Sequence, residues 1–439
     1  MSVFLYFYRK FILIILRCKL NNNNNNNNNK IFLSSPHMGG NEQKYIKEAF
    51  DSNWVAPIGK NIDLFESNLE SYLGDNVQVT SVSSGTAAIH LGLIQLGVQS
   101  GDEVICQSLT FVASANPILY LNATPVFIDS ELDTWNICPI RLEEAIIDRI
   151  KLGKKPKAII TVHLYGNPYK IETIRSIADK YDIPILEDAA EALGSSYKGQ
   201  KCGVFGDISI LSFNGNKIIT TSGGGALICH SKDIKSKTIF LASQSKDDAV
   251  HYEHSQIGYN YRLSNISASI GRGQMEVLDQ HVYLRRKMQA FYKQLFEDIP
   301  GVYVYETPNK DYFSNHWLSV ITINPAETNG IDCNDLRLAF EAKNIESRLL
   351  WKPLHLQPLH REYPYYGTNI AESIFATGLC LPSGSNTTDE DKARIKTVVQ
   401  SVFTTKKKST IKSIFPINQK LFEDNVLVNF FTKNGLKTT

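Results

Sequence analysis

The sequence predicts an α/β protein: a large, mainly parallel sheet with helices on both faces, followed by a smaller C-terminal α/β domain. Three observations carry that expectation. Strand-like and helix-like stretches alternate from about residue 79 to 213. Ala158 to Val162 and Pro184 to Leu186 are apolar runs suited to strands buried in a sheet. After Pro300-Gly301 the pattern changes to shorter strands and separate helices.

Taken in order, Val79 to Val82 is strand-like, and Ala87 to Leu96 has helical spacing with Gly97 to cap it. Glu103 to Cys106 reads as a strand and Val112 to Leu121 as a helix, with Pro117 tolerated in its first turns or kinking it. Pro125 to Ile128 is a strand, Ile140 to Ile150 a helix, Ala158 to Val162 a strand and Ile171 to Tyr181 a helix. Pro184 to Leu186 and Ile208 to Phe213 complete the strands of the large domain, placed at 31–282. A long helical region runs from about Asn265 to Leu295, softened at Gly271 and Gly273. In the smaller domain, 283–403, Val302 to Tyr305 and Trp317 to Ile323 read as strands. Asp332 to Lys343 and Asp389 to Phe403 read as helices.

With 439 residues, 43% apolar and 21% charged, the chain can bury a large core in two or three domains. A net charge of +2 gives no field that points to nucleic acid. The seven cysteines (18, 106, 138, 202, 229, 333, 380) are scattered, without CxxC or His-rich spacing. They fit a reduced, cytoplasmic setting rather than a disulfide framework or a metal site. Residues 1–30 hold an apolar run interrupted by Arg9 and Lys10, then Asn21 to Asn29. The run is short for a membrane span of about 20 residues and lacks a small-residue cleavage site, so it reads as a disordered leader. A signal or membrane anchor is the competing reading. Residues 404–439 form a tail with no chemistry to name.

The chemistry gathers where strands end. In Ser212-Phe213-Asn214-Gly215-Asn216-Lys217, a strand gives way to small polar residues and one lysine, ahead of Gly223-Gly224-Gly225. A lysine held in an apolar turn loses solvation, which favours the neutral amine needed to attack a carbonyl. A solvated surface lysine is the competing reading. Ser83-Ser84-Gly85-Thr86 opens a helix, whose free N–H groups and hydroxyls suit a phosphate, or form only an N-cap. Asp188, ending a buried strand in Glu187-Asp188-Ala189-Ala190-Glu191, is a structural carboxylate or the partner of a protonated heteroaromatic nitrogen. Phe111 is a core aromatic or a flat face against such a ring. Phosphate cradle, ring-nitrogen carboxylate and Schiff-base lysine are the three contacts that pyridoxal phosphate requires.

Four motifs in order carry a resemblance: Ser-Ser-Gly-Thr-Ala-Ala from 83, Glu-Asp-Ala-Ala-Glu-Ala-Leu-Gly from 187, Ser-Phe-Asn-Gly-Asn-Lys from 212 and Gly-Tyr-Asn-Tyr-Arg-Leu from 258. From about residue 33 to 403 the chain resembles the nucleotide-sugar aminotransferases of the DegT/StrS type, within the fold-type I pyridoxal phosphate enzymes. The resemblance implies that Lys217 binds the cofactor covalently, Asp188 holds its ring nitrogen and Phe111 stacks on the ring. Gly85, Thr86 and Ser212 would bind its phosphate, with Asn260 reaching it from a second subunit of a homodimer. His163 and Glu191 would stand near the ring. Relatives that dehydrate have histidine in place of this lysine, so Lys217 implies transamination, with L-glutamate as donor. His251 to His254, Gly273 to Glu276, Ser314 to Trp317 and Ser347 to His355 are similar to the enzymes that aminate UDP-4-keto-6-deoxy-N-acetylhexosamines. In the bacillosamine-type enzymes a proline usually follows the arginine, where this chain has Leu349 after Arg348. His316, Arg348, Trp351, Lys352 and His355 are the substrate candidates, with Arg348 or Lys352 suited to the nucleotide's pyrophosphate.

Overall fold

The computed structural model describes residues 29–404 apart from residue 75. The leader expected over 1–30 and the tail over 404–439 lie outside the described residues except at their inner edges. Two helices, α1 (Glu42–Asp51) and α2 (Lys60–Leu73), come first. Then alternate β1 (Gln78–Val82), α3 (Gly85–Gln95), β2 (Glu103–Gln107), α4 (Asn116–Tyr120), β3 (Thr124–Ile128) and α5 (Pro139–Lys151). The alternation continues through β4 (Ala158–Val162), α6 (Ile171–Lys180) and β5 (Ile185–Asp188). A small hairpin, β6 (Ser196–Tyr197) and β7 (Gln200–Lys201), precedes β8 (Ile208–Ser212), β9 (Gly225–Cys229) and α7 (Lys232–Ala242). Helices α8 (Asn265–Met275) and α9 (Leu278–Phe296) lead to β10 (Val302–Val304), β11 (Tyr312–Phe313) and β12 (Ser319–Ile323). The last elements are α10 (Cys333–Ala342), β13 (Arg348–Leu349), β14 (Tyr365–Tyr366), α11 (Ile370–Thr377), β15 (Gly378–Leu381) and α12 (Asp389–Thr404).

The large sheet has eight strands in the order β1-β9-β8-β5-β4-β2-β3-β14. Only β9 runs against the others. Alternation along each strand explains how helices cover both faces. Val104 and Cys106 of β2 pack with Ala88 and Leu91 of α3. Ile105 between them faces the opposite core, with Leu142 and Ile146 of α5 and Ile174 of α6. Each such fully buried Ile or Leu contributes about 2 kcal/mol of apolar burial. A second sheet, β10-β12-β15-β13, is antiparallel and packs with Tyr292 of α9, Leu336 of α10 and Ile395 of α12.

Two expected helices differ. Val112 to Leu121 is a single turn, Val112–Ser114, followed by the short α4, with Pro117 near its start where a missing N–H costs nothing. The long helical region breaks at Glu276 and Val277 rather than at its glycines. Gly271 instead lets α8 lie against the Phe65 ring, which a Cβ would approach to 2.7 Å.

The chain is also interlaced. β14, within 283–403, pairs parallel to β3 and forms the outer edge of the large sheet. Ile31 bridges to Ile345, and the Ser383 N–H donates to the Leu33 carbonyl at 2.7 Å, so the start of the described chain lies on the smaller sheet.

Candidate active site

Strands β1, β2, β4, β5 and β8 run the same way, so their carboxyl ends share one edge of the sheet. Ser83 to Thr86 follow β1, Phe111 follows β2, His163 follows β4, Asp188 ends β5, and Lys217 follows β8. This edge is where open α/β sheets bind ligands.

Lys217 sits in a tightly held turn. Its N–H donates to the Asn214 carbonyl at 3.0 Å, and the Asn216 carbonyl accepts from Ser34 Oγ and Trp317 Nε1, each at 2.7 Å. Its Nζ lies 3.8 Å from Glu191 Oε1 and 4.2 Å from the centre of the Trp317 ring. The side chain is 12% exposed. Burial pushes the Lys217 amine below its ordinary value, and the Arg285 cation adds to this. The Glu191 and Asp188 carboxylates oppose the shift without cancelling it.

Asp188 is buried, accepting from Ser114 Oγ at 2.7 Å and from the Ala190 N–H at 3.1 Å. Burial raises its carboxyl above the usual range, against the pull of those two donors and of Lys217. Glu191 accepts the Tyr165 N–H at 2.7 Å, and burial raises it to about 7. Between the ordinary value of 4.5 and about 7, the folded protein holds a proton at Glu191 that the unfolded chain has lost. Stability from this group therefore falls as pH rises through that window. Glu191→Gln cannot ionise and is expected to remove the dependence. Melting temperatures should show the variant gaining on the wild type from pH 5 to pH 8, about 1 °C or more.

His163 is buried with Nε2 2.6 Å from Glu187 Oε1, while its Nδ1 has no partner among the described residues. Burial raises the Glu187 carboxyl, but His163, the Gly203 N–H and the Ser209 hydroxyl outweigh this and hold it below the usual range.

At the start of α3, Ser84 Oγ accepts the Ala87 N–H at 3.0 Å, leaving the Gly85 and Thr86 N–H groups at the open turn. Thr86 and Ser212 are half-buried there. The turn is packed from beneath: a Cβ on Gly85 would come 3.0 Å from Ser212 Cβ, and one on Gly225 would come 2.5 Å from the Gly85 nitrogen. Gly225→Ala is expected to displace this helix start and weaken cofactor binding at least about 10-fold, measured by spectroscopic titration. The open turn at the start of α3, the anchored Asp188 carboxylate and the desolvated Lys217 amine have the chemistry that pyridoxal phosphate needs.

Phe111 is 48% exposed, its ring centre 5.2 Å from that of Trp351. The Trp351 N–H donates to Tyr165 Oη at 3.0 Å, which links the Phe111 and Glu191 sides. His316, beside Trp317, is buried with φ +48°, and burial with the nearby Arg286 lowers its imidazole to about 3. His355 is engaged by Ser108 Oγ at 2.6 Å and Glu372 at 3.2 Å, and stacks on Tyr365. Lys352 is half-buried. Arg348 is exposed on β13, its guanidinium bound to Glu346 at 2.8 Å. Asn260 is exposed between Tyr259 and Tyr261, which stack on each other and pack around His90 of α3.

Sequence reasoning missed four contributors: Ser114, Tyr165, Trp317 and Arg285. Trp317 stands next to His316 in a quoted motif, which was the available signal. Ser114 and Arg285 act through positions 74 and 68 residues away, a separation no local pattern discloses.

Comparison with known proteins completes the assignment. Residues 36–402 match the DegT/DnrJ/EryC1/StrS aminotransferase family. EpsN of Bacillus subtilis (strain 168), named as a pyridoxal phosphate-dependent aminotransferase, is 49% identical over 380 residues, spanning 86% of this chain and 96% of that protein. GDP-perosamine synthase of Escherichia coli O157:H7 is 38% identical over 358 residues, spanning 81% of this chain and 93% of that protein. The solved structure of Helicobacter pylori PseC, an aminotransferase involved in pseudoaminic acid biosynthesis, aligns with a TM-score of 0.77 at 25% identity, covering 86% of this chain and 100% of that one. The fold is that of the fold-type I enzymes, and the chain belongs to the DegT/DnrJ/EryC1/StrS family as a pyridoxal phosphate-dependent sugar aminotransferase.

Proposed function

We propose that this enzyme moves the amino group of L-glutamate to the keto carbon of a UDP-linked 4-keto-6-deoxy-N-acetylhexosamine. The observation that carries the proposal is the desolvated Lys217 amine, 3.8 Å from Glu191, on the sheet edge where Ser114 and Ala190 anchor Asp188. Pyridoxal phosphate, when bound, supplies an aldehyde that condenses with amines and a ring that draws electrons from the adjoining carbon.

The chain's residues supply the rest. Lys217 Nζ, whose neutral form burial favours, would take the proton from the donor's Cα and return one at the sugar carbon in the reverse sequence. Asp188 would accept from the ring N–H and keep that proton in place. The first turn of α3, with Gly85, Thr86 and Ser212, would bind the phosphate, and Phe111 would offer its exposed face to the ring. Trp351 and the buried His316 line the side facing the substrate, and Lys352 and Arg348 address its pyrophosphate. Arg348 would have to exchange Glu346 for that pyrophosphate.

Two copies are proposed to share each site through Asn260. Its exposure supports this, as do the exposed Val250, Tyr252 and Ile257 on the same stretch.

The likeness at 38% identity to a GDP-perosamine synthase favours a second reading, in which the sugar is carried by GDP. A panel of UDP- and GDP-linked 4-keto sugars, assayed with glutamate and read by mass spectrometry of the amine, separates them. Amination confined to UDP-N-acetylhexosamines supports the first reading, and confinement to GDP sugars the second. No amine from any member rejects both.

A further inference from the structure

We infer that Arg285 is a positioning residue for Lys217: from α9 it clamps the lysine's own carbonyl and sets a second buried cation behind the reactive amine. The inference rests on the role proposed for Lys217. Arg285 is 1% exposed, and every partner of its two terminal nitrogens is a neutral oxygen. Nη1 donates to the Trp317 carbonyl at 2.7 Å and the Ser383 carbonyl at 3.2 Å. Nη2 donates to Ser34 Oγ at 2.9 Å and the Lys217 carbonyl at 3.4 Å. Its Nε is buried without a partner among the described residues.

A buried guanidinium without a carboxylate is costly, and one that served only to tie segments together could have been paired. Its surroundings give the unpaired charge a use. Ser34 and Trp317, two of its partners, also hold the Asn216 carbonyl just before the lysine. The lysine is thus fixed by residues 31–37 (a strap at the start of the described chain), the smaller sheet and α9 together, and the cation that fixes it disfavours a second positive charge nearby.

The charged and titratable groups facing this cluster are few. Asp188 and Glu191 approach Lys217 from the large sheet and favour its charged form. His281 on α9 and His37 on the strap stack at 4.7 Å, and burial lowers both below the ordinary imidazole value, so they add little positive charge at neutral pH.

Competitive acetylation of the full chain freed of cofactor, quantified at Lys217 by mass spectrometry across pH, tests this without relying on turnover. In Arg285→Gln the Lys217 labelling curve is expected to move up by about one pH unit. Arg285→Met, uncharged and able to fill the same buried space, should move it the same way and covers the case where the first variant does not fold. Arg285→Lys should keep the wild-type curve. A curve unmoved in a folded Arg285→Gln or Arg285→Met overturns the inference. So does an equal shift in Arg285→Lys. If wild-type Lys217 itself titrates like an exposed lysine, the proposed role of Lys217 fails first.

Discussion

Lys217→Ala is expected to lower the rate of amine transfer by about 10⁴-fold or more, because among the described residues no other amine is placed beside both Asp188 and Glu191. The pH at which a base works is set by its surroundings. This amine is 12% exposed, with a carboxylate 3.8 Å away that cannot fully offset its desolvation. The substitution leaves the open first turn of α3 and the Asp188 anchor untouched, so cofactor should still bind, without its covalent attachment. Borohydride reduction of the wild-type holoenzyme followed by peptide mapping should label Lys217, and the variant should carry no label. A variant retaining more than a hundredth of the wild-type rate would place the base elsewhere.

Asp188→Asn is expected to cost about 10³-fold in rate while cofactor remains bound. Asparagine has the shape of aspartate but no charge to hold a proton on a ring nitrogen. The Ser114 hydroxyl, which also lies 3.1 Å from Thr110 Oγ1, can turn to that neighbour, so the fold should tolerate the change. Ser114→Ala serves as the graded comparison. It removes one 2.7 Å donor from a carboxylate and should cost only about 10-fold. Rates measured with saturating cofactor distinguish the two, and near-equal losses would mean that Asp188 matters as scaffold rather than as charge.

Much of the frame was legible because buried parallel strands are written plainly. Ala158 to Val162 was expected as a strand and is β4 to the residue. The edge strand β14 was not legible, since Tyr365–Tyr366 lies between Pro364 and Gly367 and its pairing with β3 is decided 238 residues away in sequence. Glycine misled at 271, where it marks a close helix crossing and not a break. At the site, Lys217, Asp188 and Glu191 were named from sequence, and the structure brings them together. Trp317 and Arg285 escaped notice because an aromatic or a cation on a packed face looks the same in sequence whichever partner it meets.

The strap at Ile31 to Leu33, laid across the smaller sheet through Ile345 and Ser383, has a consequence for synthesis. A nascent chain emerges from its amino end, yet these residues find their partners only after more than 300 others have left the ribosome. The turn that holds Lys217 leans on Ser34 and Trp317, so it gains its last partner only once residue 317 has been made. A truncated product is expected to be chemically inert, which spares the cell a half-made protein with a reactive amine.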